Sequence, residues 1–240
     1  MRWELWEPKY KEIVKRLILD EHADMHAAEL LEKILPELDI EDLKNIINGK
    51  ECIIFGAGPS LDKDLAGLNK SRYLDKVVIA VDGATSAVLN YYSPDIIVTD
   101  LDGAVERQYE AWNGGSWLVV HGHGDNDTQI RKFVPIVDAR IIGTTQVKPF
   151  GKLFNFGGFT DGDRAAFMAY ELGAKKIFLA GMDLGTEVGK HSGMKDTKRK
   201  LIKLDICKEL LSWLSAKLGA KIVNLTSGGE SIPNVPRQVP

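Results

Sequence analysis

The sequence predicts an α/β protein: a mostly parallel, Rossmann-like sheet with helices on both faces, preceded by an N-terminal helical segment. Three observations carry this. From residue 51 onward, short apolar runs of strand length alternate with helix-like stretches. The first 48 residues hold no strand-like run. Two of the runs stop at acidic residues, Asp82 and Asp100-Leu101-Asp102, and the carboxyl ends of parallel strands are where ligands bind in open α/β sheets.

In chain order, Tyr10, Ile13, Val14, Leu17 and Ile18 recur at helical spacing, as do Ala28, Leu31, Ile34 and Leu35. Asp39 is placed to cap a short helix ending before Gly49. Residues 1–48 are therefore expected to cover the sheet or to form a homodimer contact, and residues 49–240 to form the catalytic α/β domain. Strands are expected at 51–55, 77–81, 95–99, 117–121, 139–142, 176–180 and 221–224. A helix over 161–172 is marked by Ala165, Phe167, Met168 and Leu172 and stopped by Gly173. A long helix near 197–218 carries Leu201, Leu204, Leu211 and Leu214 on one stripe and stops at Gly219. The proline-rich tail from Pro233 to Pro240 cannot continue regular structure.

Composition narrows the function. The 240 residues are 44% hydrophobic and 27% charged, which fits one or two globular domains. A formal net charge of -3 argues against a nucleic-acid scaffold. No run of about 18 apolar residues is present to span a membrane. The N-terminus lacks the apolar core of a signal peptide. Cys52 and Cys207 read as two buried thiols, not a disulfide or a metal pair. The expectation is a cytoplasmic enzyme.

Several motifs carry chemistry. Asp100 and Asp102, alternating at a strand end, present two hard oxygen ligands to one hydrated Mg²⁺, and Asp82 ends the neighbouring strand. The turn Phe55-Gly56-Ala57-Gly58-Pro59-Ser60-Leu61 follows a strand and opens a helix, so backbone at Gly56, Gly58 and Ser60 is a candidate phosphate contact. It is neither a full dinucleotide fingerprint, since Leu61 stands at the third glycine, nor a Walker loop. His121-Gly122-His123-Gly124-Asp125-Asn126 opens like a metallo-β-lactamase zinc motif, but Asn126 replaces its last histidine. Only His22, His26 and His191 remain to complete such a centre. His121, His123 and Asn126 are read instead as lining a substrate cleft, with Asp125 a further strand-end acid. Thr160 or Asp161 is placed to cap the start of the 161–172 helix or to meet an anion there, and Asp183 is either a ligand or a helix cap. The run from Lys190 to Lys200 is a solvated helix start or a phosphate site using Lys195, Lys198 and Arg199. His22 and His26 are expected on the surface.

In order from about Cys52 to Thr226, these motifs resemble the archaeal 6-hydroxymethyl-7,8-dihydropterin pyrophosphokinase family. The resemblance rests on the glycine turn, Asp82-Gly83-Ala84, Thr99-Asp100-Leu101-Asp102-Gly103, His121 to Asn126, Gly157 to Arg164, and Gly181-Met182-Asp183-Leu184. The segments around Asp82 and Pro94 to Asp102 are also similar to the catalytic domain of thiamin pyrophosphokinase. Here Thr99 stands where that family has glycine, and Gly103 where it has serine. The resemblance implies ATP as co-substrate, Mg²⁺, a pterin acceptor, release of AMP, and a product feeding cofactors such as tetrahydromethanopterin. It implies Asp100 and Asp102 as metal ligands, with Asp82 and Asp125 as further ligands or acceptors of the hydroxyl proton. Phe156, Phe159, Trp112 and Trp117 are candidates to stack on the pterin. Two other readings stay open: a nucleotide-sugar-dependent glycosyltransferase of the flagellin-modification accessory type, and a non-catalytic nucleotide-binding module.

Overall fold

The computed structural model describes residues 1–37, 39–69, 73–185, 189 and 197–238. Three helices come first: α1 (Trp3–Leu17), α2 (Glu21–Ile34) and α3 (Ile40–Ile47). Asp39 caps α3 through a 2.9 Å bond from the Glu41 amide, as its position before the apolar period predicts. The α/β part then runs β1 (Glu51–Phe55), α4 (Leu61–Leu68), β2 (Val77–Val81), α5 (Ala84–Val88), β3 (Ile96–Thr99), α6 (Val105–Asn113) and β4 (Trp117–Gly122). It continues through α7 (Asp127–Phe133), β5 (Ile141–Thr145), β6 (Leu153–Phe154), α8 (Asp161–Glu171), β7 (Lys176–Ala180), α9 (Thr197–Ala216) and β8 (Ile222–Asn224).

The strands form one parallel sheet in the order β6-β5-β4-β3-β2-β1-β7-β8. Val77 to Val81 are buried throughout, which is why this strand shows no polar alternation: helices cover both faces. The chain starts at β1, steps outward to β6, and returns to lay β7 and β8 on the other side of β1. The order therefore reverses between β1 and β7, and that switch point opens a crevice at the carboxyl ends of the strands.

The two helices with the clearest sequence signal end at the glycines expected to stop them, Gly173 at φ 88° and Gly219 at φ 84°. One strand lies further along the chain than the apolar run suggests. The fifth extends over the polar Thr144 and Thr145, because His121 and Gly122 of β4 supply its register partners. Sequence reading missed β6, two residues paired at the sheet edge, which are too short to show a period. The buried stripe of α9 is Cys207, Leu210, Leu211 and Leu214, shifted from the one expected because Leu201 and Leu204 are only half-buried.

The N-terminal helices lie on the sheet. Trp6 is fully buried and its indole N–H donates 2.9 Å to the Gln146 carbonyl. The Tyr10 hydroxyl donates 2.7 Å to Asp24 on α2. Ala27, Ala28 and Leu31 of α2 belong to the same hydrophobic core as Ile54, Val119 and Phe167. Among the described residues, no helix is long and apolar enough to cross a membrane.

Both cysteines are buried and free. Burial pushes the Cys52 thiol up to about 12, and it holds Cys207 well above the ordinary thiol range. At pH 8 both sit far below their titration, so the thiolate that reacts is scarce. Native protein is therefore expected to release no thionitrobenzoate from Ellman's reagent at pH 8, and the unfolded chain two equivalents. A fast-reacting thiol in the native protein would contradict this burial.

Candidate active site

A cavity of about 330 Å³ opens over the carboxyl ends of the strands. Its centre is acidic. Asp82 leaves β2 at φ 40°, in the left-handed region, and one of its oxygens accepts from Thr99 Oγ1 (2.9 Å), the Gly103 amide (3.1 Å) and Gln108 Nε2 (3.1 Å). Asp100 and Asp102 follow β3, with Leu101 between them at φ 65° so that both acids emerge from one tight turn. The Thr99 hydroxyl accepts from the Leu101 amide at 2.8 Å and holds that turn in place. One carboxylate oxygen from each of Asp82, Asp100 and Asp102 lies within 4.8 Å of the others. Burial, and then the charge of Asp100, raise the Asp82 carboxyl above the usual range. Crowded, oxygen-only and partly exposed, this donor set fits a hard divalent cation that keeps some of its waters.

The loop after β4 clamps the cluster. His123 lies between two acids, Nε2 at 3.1 Å from Asp100 and Nδ1 at 2.6 Å from Asp125. Burial opposes its charge, but the two carboxylates outweigh burial and push the imidazole up to about 9. The hydrogen bond from His123 in turn holds Asp125 below the usual carboxylate range. Asp125 sits at the rim, its side chain 87% exposed. Asn126 is buried and does not line the cavity: Nδ2 donates to the carbonyls of Asp100 (2.9 Å) and His121 (2.7 Å), and Oδ1 accepts from the His123 amide (3.1 Å). It ties the end of β3 to the end of β4, a bracing role that sequence reading took for substrate contact.

The glycine turn after β1 lies on the other side, at the switch point. Gly56, Ala57 and Gly58 line the cavity, but the N–H groups expected to meet phosphate have partners inside the protein. The Gly56 amide donates to Ala180 O at 2.9 Å, and that of Gly58 to Gly181 O at 2.8 Å. Ser60 lies beneath the cavity wall, its amide donating to Asp183 and its hydroxyl within hydrogen-bond distance of both Asp64 (2.8 Å) and Asp183 (3.0 Å). Glycine is required because a Cβ at Gly56 would run into Met182, and one at Gly58 into Asp183. The turn thus fits tightly over the end of β7, and Asp183 both braces it and lines the cavity.

The third wall is the N-terminus of α8, where Thr160, Asp161 and Gly162 face the cavity. Asp163 caps it, accepting from the Phe159 and Thr160 amides at 2.8 Å each and from the Thr160 hydroxyl. Burial, and then the Asp100 charge, hold Asp161 well above the usual carboxylate range. Of the aromatic candidates only Phe159 reaches the cavity; Trp117 is buried in β4, Trp112 bonds to Ala139, and Phe156 stacks on Phe154.

Cations come from α9, and mostly not from the residues expected. Lys195 falls outside the described residues, and Lys198 is exposed and does not line the cavity. Arg199 lines it while its guanidinium donates 3.2 Å to the Leu17 carbonyl. The cavity face of the helix is Lys200, Lys203, Leu204 and Cys207, an i, i+3, i+4, i+7 stripe that spacing alone could have revealed. The Lys203 ammonium stands 5.8 Å over the Phe159 ring. The N-terminal helices were expected only to cover the sheet or to form a homodimer contact. Instead Ile18, Leu19, Asp20, Ala23 and Asp24 form the fourth wall. Ile18 is 90% exposed at φ 51°, a strained conformation for a β-branched residue. His22 and His26 are exposed, as expected.

A family model described as 6-hydroxymethylpterin diphosphokinase MptE-like matches residues 26–189, the span that carries the acidic cluster, the histidine loop and the start of α8. The chain belongs to this family. Three archaeal relatives named 6-hydroxymethyl-7,8-dihydropterin pyrophosphokinase are similar over most of their length. That of Pyrococcus furiosus is 42% identical over 236 residues, covering 94% of this chain and 100% of its own. That of Methanocaldococcus jannaschii is 39% identical over 231 residues, and that of Methanothermobacter thermautotrophicus 42% over 228. Each of these two covers 89% of this chain and 95% of its own. The match to the MptE-like family agrees with the order of motifs read from Cys52 to Thr226.

Proposed function

We propose that this protein transfers a diphosphate group from ATP to the hydroxymethyl oxygen of 6-hydroxymethyl-7,8-dihydropterin, with Mg²⁺, releasing AMP. The carrying observation is the trio Asp82, Asp100 and Asp102 at the centre of the cavity, facing the lysine stripe of α9, in a chain of the MptE-like family. Asp82, Asp100 and Asp102 would hold the magnesium ion, which when bound neutralises triphosphate charge and fixes its position. In the reaction the hydroxymethyl oxygen bonds to the β-phosphorus, the bond from that phosphorus to the α,β-bridging oxygen breaks, and AMP leaves. The hydroxyl proton passes to a base, and of the acids lining the cavity Asp82 and Asp125 are the ones we assign to it. His123, held between Asp100 and Asp125, fixes the direction in which Asp100 points. Lys200, Lys203 and the N-terminus of α8 oppose the charge that develops on phosphate. A product of this kind suits the assembly of folate-like or tetrahydromethanopterin-type cofactors.

Label position tests the chemistry. With ATP labelled at the β-phosphorus the label moves to the pterin, while label at the α-phosphorus stays in AMP. Transfer of γ-label alone, leaving ADP, would contradict it. The α9 stripe makes a separate prediction. Lys200→Ala and Lys203→Ala each raise the ATP KM about tenfold, the loss expected for a charged phosphate contact, while Lys198→Ala leaves it within about twofold. Steady-state kinetics with ATP varied decides this, and an unmoved KM in both cavity variants would return the stripe to an ordinary solvated helix face.

A further inference from the structure

We infer that the cavity floor beside β4 and β5 reads the edge of a lactam-type heterocycle, with His121 Nε2 accepting a ring or amino N–H and Arg164 Nε donating to the adjacent carbonyl or ring nitrogen. This deepens the proposed function and rests on it, assigning these two side chains to the pterin and not to ATP.

Both residues line the cavity, and both are buried, at 1% and 3% exposure. Among the buried side-chain polar atoms of the described residues that lack a hydrogen-bond partner, His121 Nε2 and Arg164 Nε are the two that belong to cavity-lining residues. Buried polar groups are nearly always paired, so two unpaired ones in one ligand-sized cavity point to a ligand that pairs them.

One placement of protons makes His121 Nε2 the acceptor and Arg164 Nε the donor. Thr144 Oγ1 lies 3.2 Å from the Val120 carbonyl, which can only accept, and we assign the threonine proton there. The same oxygen lies 3.1 Å from His121 Nδ1, and with the threonine proton so assigned it accepts from Nδ1, which carries the imidazole proton. Burial, and then the charge of Arg164, hold His121 well below the usual histidine range, so the ring is neutral and Nε2 carries a bare lone pair. On Arg164 the two terminal nitrogens are committed to the Gly158 carbonyl (3.3 Å) and the Phe159 carbonyl (2.8 Å). Its Nε–H remains, 3.8 Å from Asp161 and too far for a hydrogen bond.

Position separates this floor from the nucleotide. The sheet order puts the glycine turn on β1, the acidic cluster on β2 and β3, and His121 on β4. A nucleotide at the β1/β7 switch point and a heterocycle over β4 and β5 would thus meet above the three aspartates. An adenine edge also offers a donor beside an acceptor, so the experiment must distinguish the two rings.

The test is steady-state kinetics of His121→Phe, which keeps a ring but removes the acceptor, beside His121→Gln, which restores a side-chain carbonyl oxygen. In His121→Phe the KM for 6-hydroxymethyl-7,8-dihydropterin rises about 10- to 100-fold, that for ATP stays within about twofold, and His121→Gln recovers most of the loss. A rise in the ATP KM with the pterin KM unmoved assigns the floor to adenine and overturns the inference, as does an unmoved pterin KM. A direct reading uses wild-type protein with ¹⁵N-labelled histidine. The His121 Nε2 resonance starts at the bare lone-pair position and moves toward the hydrogen-bonded one on adding the pterin alone; no movement overturns the inference. Wild-type protein that neither binds nor turns over the pterin overturns the proposed function itself, whereas turnover with His121→Phe unaffected overturns this inference alone.

Discussion

Asp100→Asn and Asp102→Asn each lower kcat by about 10³-fold or more, while the melting temperature stays within about 3 °C of wild type. The two halves of this expectation come from different physics. Both acids stand at the end of β3, Asp100 half-buried and Asp102 exposed, and asparagine preserves their shape. In Asp100→Asn the side-chain amide oxygen can still accept the 3.2 Å bond that the Asp102 backbone amide gives to Asp100. Removing the charge of Asp100 relieves Asp82 and Asp161, whose carboxyls it helps to raise, and costs the pair with His123, so the two effects offset and the fold changes little. Catalysis loses much, because neutral amides are weak ligands for a hard cation. Thermal melts and saturating-Mg²⁺ kinetics on the same preparations check both halves, and near-normal turnover in either variant would remove the metal assignment.

Asp163→Ala is expected to be the most damaging single change to stability near the site. The carboxylate is fully buried and accepts two backbone N–H groups and a hydroxyl at the start of α8. Truncation strands the Phe159 and Thr160 amides, at about 1–3 kcal/mol each, for a total of about 3–5 kcal/mol with the cap lost. In a chain of this size that lowers the melting temperature by about 10 °C. Activity falls with it, since Thr160, Asp161 and Gly162 depend on that cap for their place in the cavity wall. Thermal denaturation at pH 7 measures it, and a drop under about 3 °C would show that water or a rearranged Thr160 satisfies those amides.

The sheet was legible in the sequence because buried parallel strands are continuous apolar runs, as Val77 to Val81 show. Asp82, Asp100 and Asp102 were legible for a related reason: in a parallel sheet every carboxyl end faces the same way, so acids ending neighbouring strands gather. What local pattern could not give was contact between distant segments. Gly56 and Gly58 were read correctly as a turn, but their amides answer to Ala180 and Gly181 across the sheet, far along the chain. Ile18 to Asp24 reach the cavity only because α1 and α2 lie against the sheet, through Trp6 to Gln146 and Tyr10 to Asp24. Asn126 looked like a site residue because it follows the histidines, yet its three side-chain bonds all go to backbone. Lys200 closes the charge run without having been picked from it, and Lys203 lies just beyond it, although the helical period runs through both to Cys207.

The most direct test of the central claim is to incubate the wild-type protein with ATP, Mg²⁺ and 6-hydroxymethyl-7,8-dihydropterin and to quantify AMP, ADP and pterin diphosphate separately. The account predicts AMP and pterin diphosphate in equal amounts, dependent on both Mg²⁺ and the pterin, with no ADP. ADP as the nucleotide product, or bound ATP left unchanged in the presence of the pterin, would contradict it.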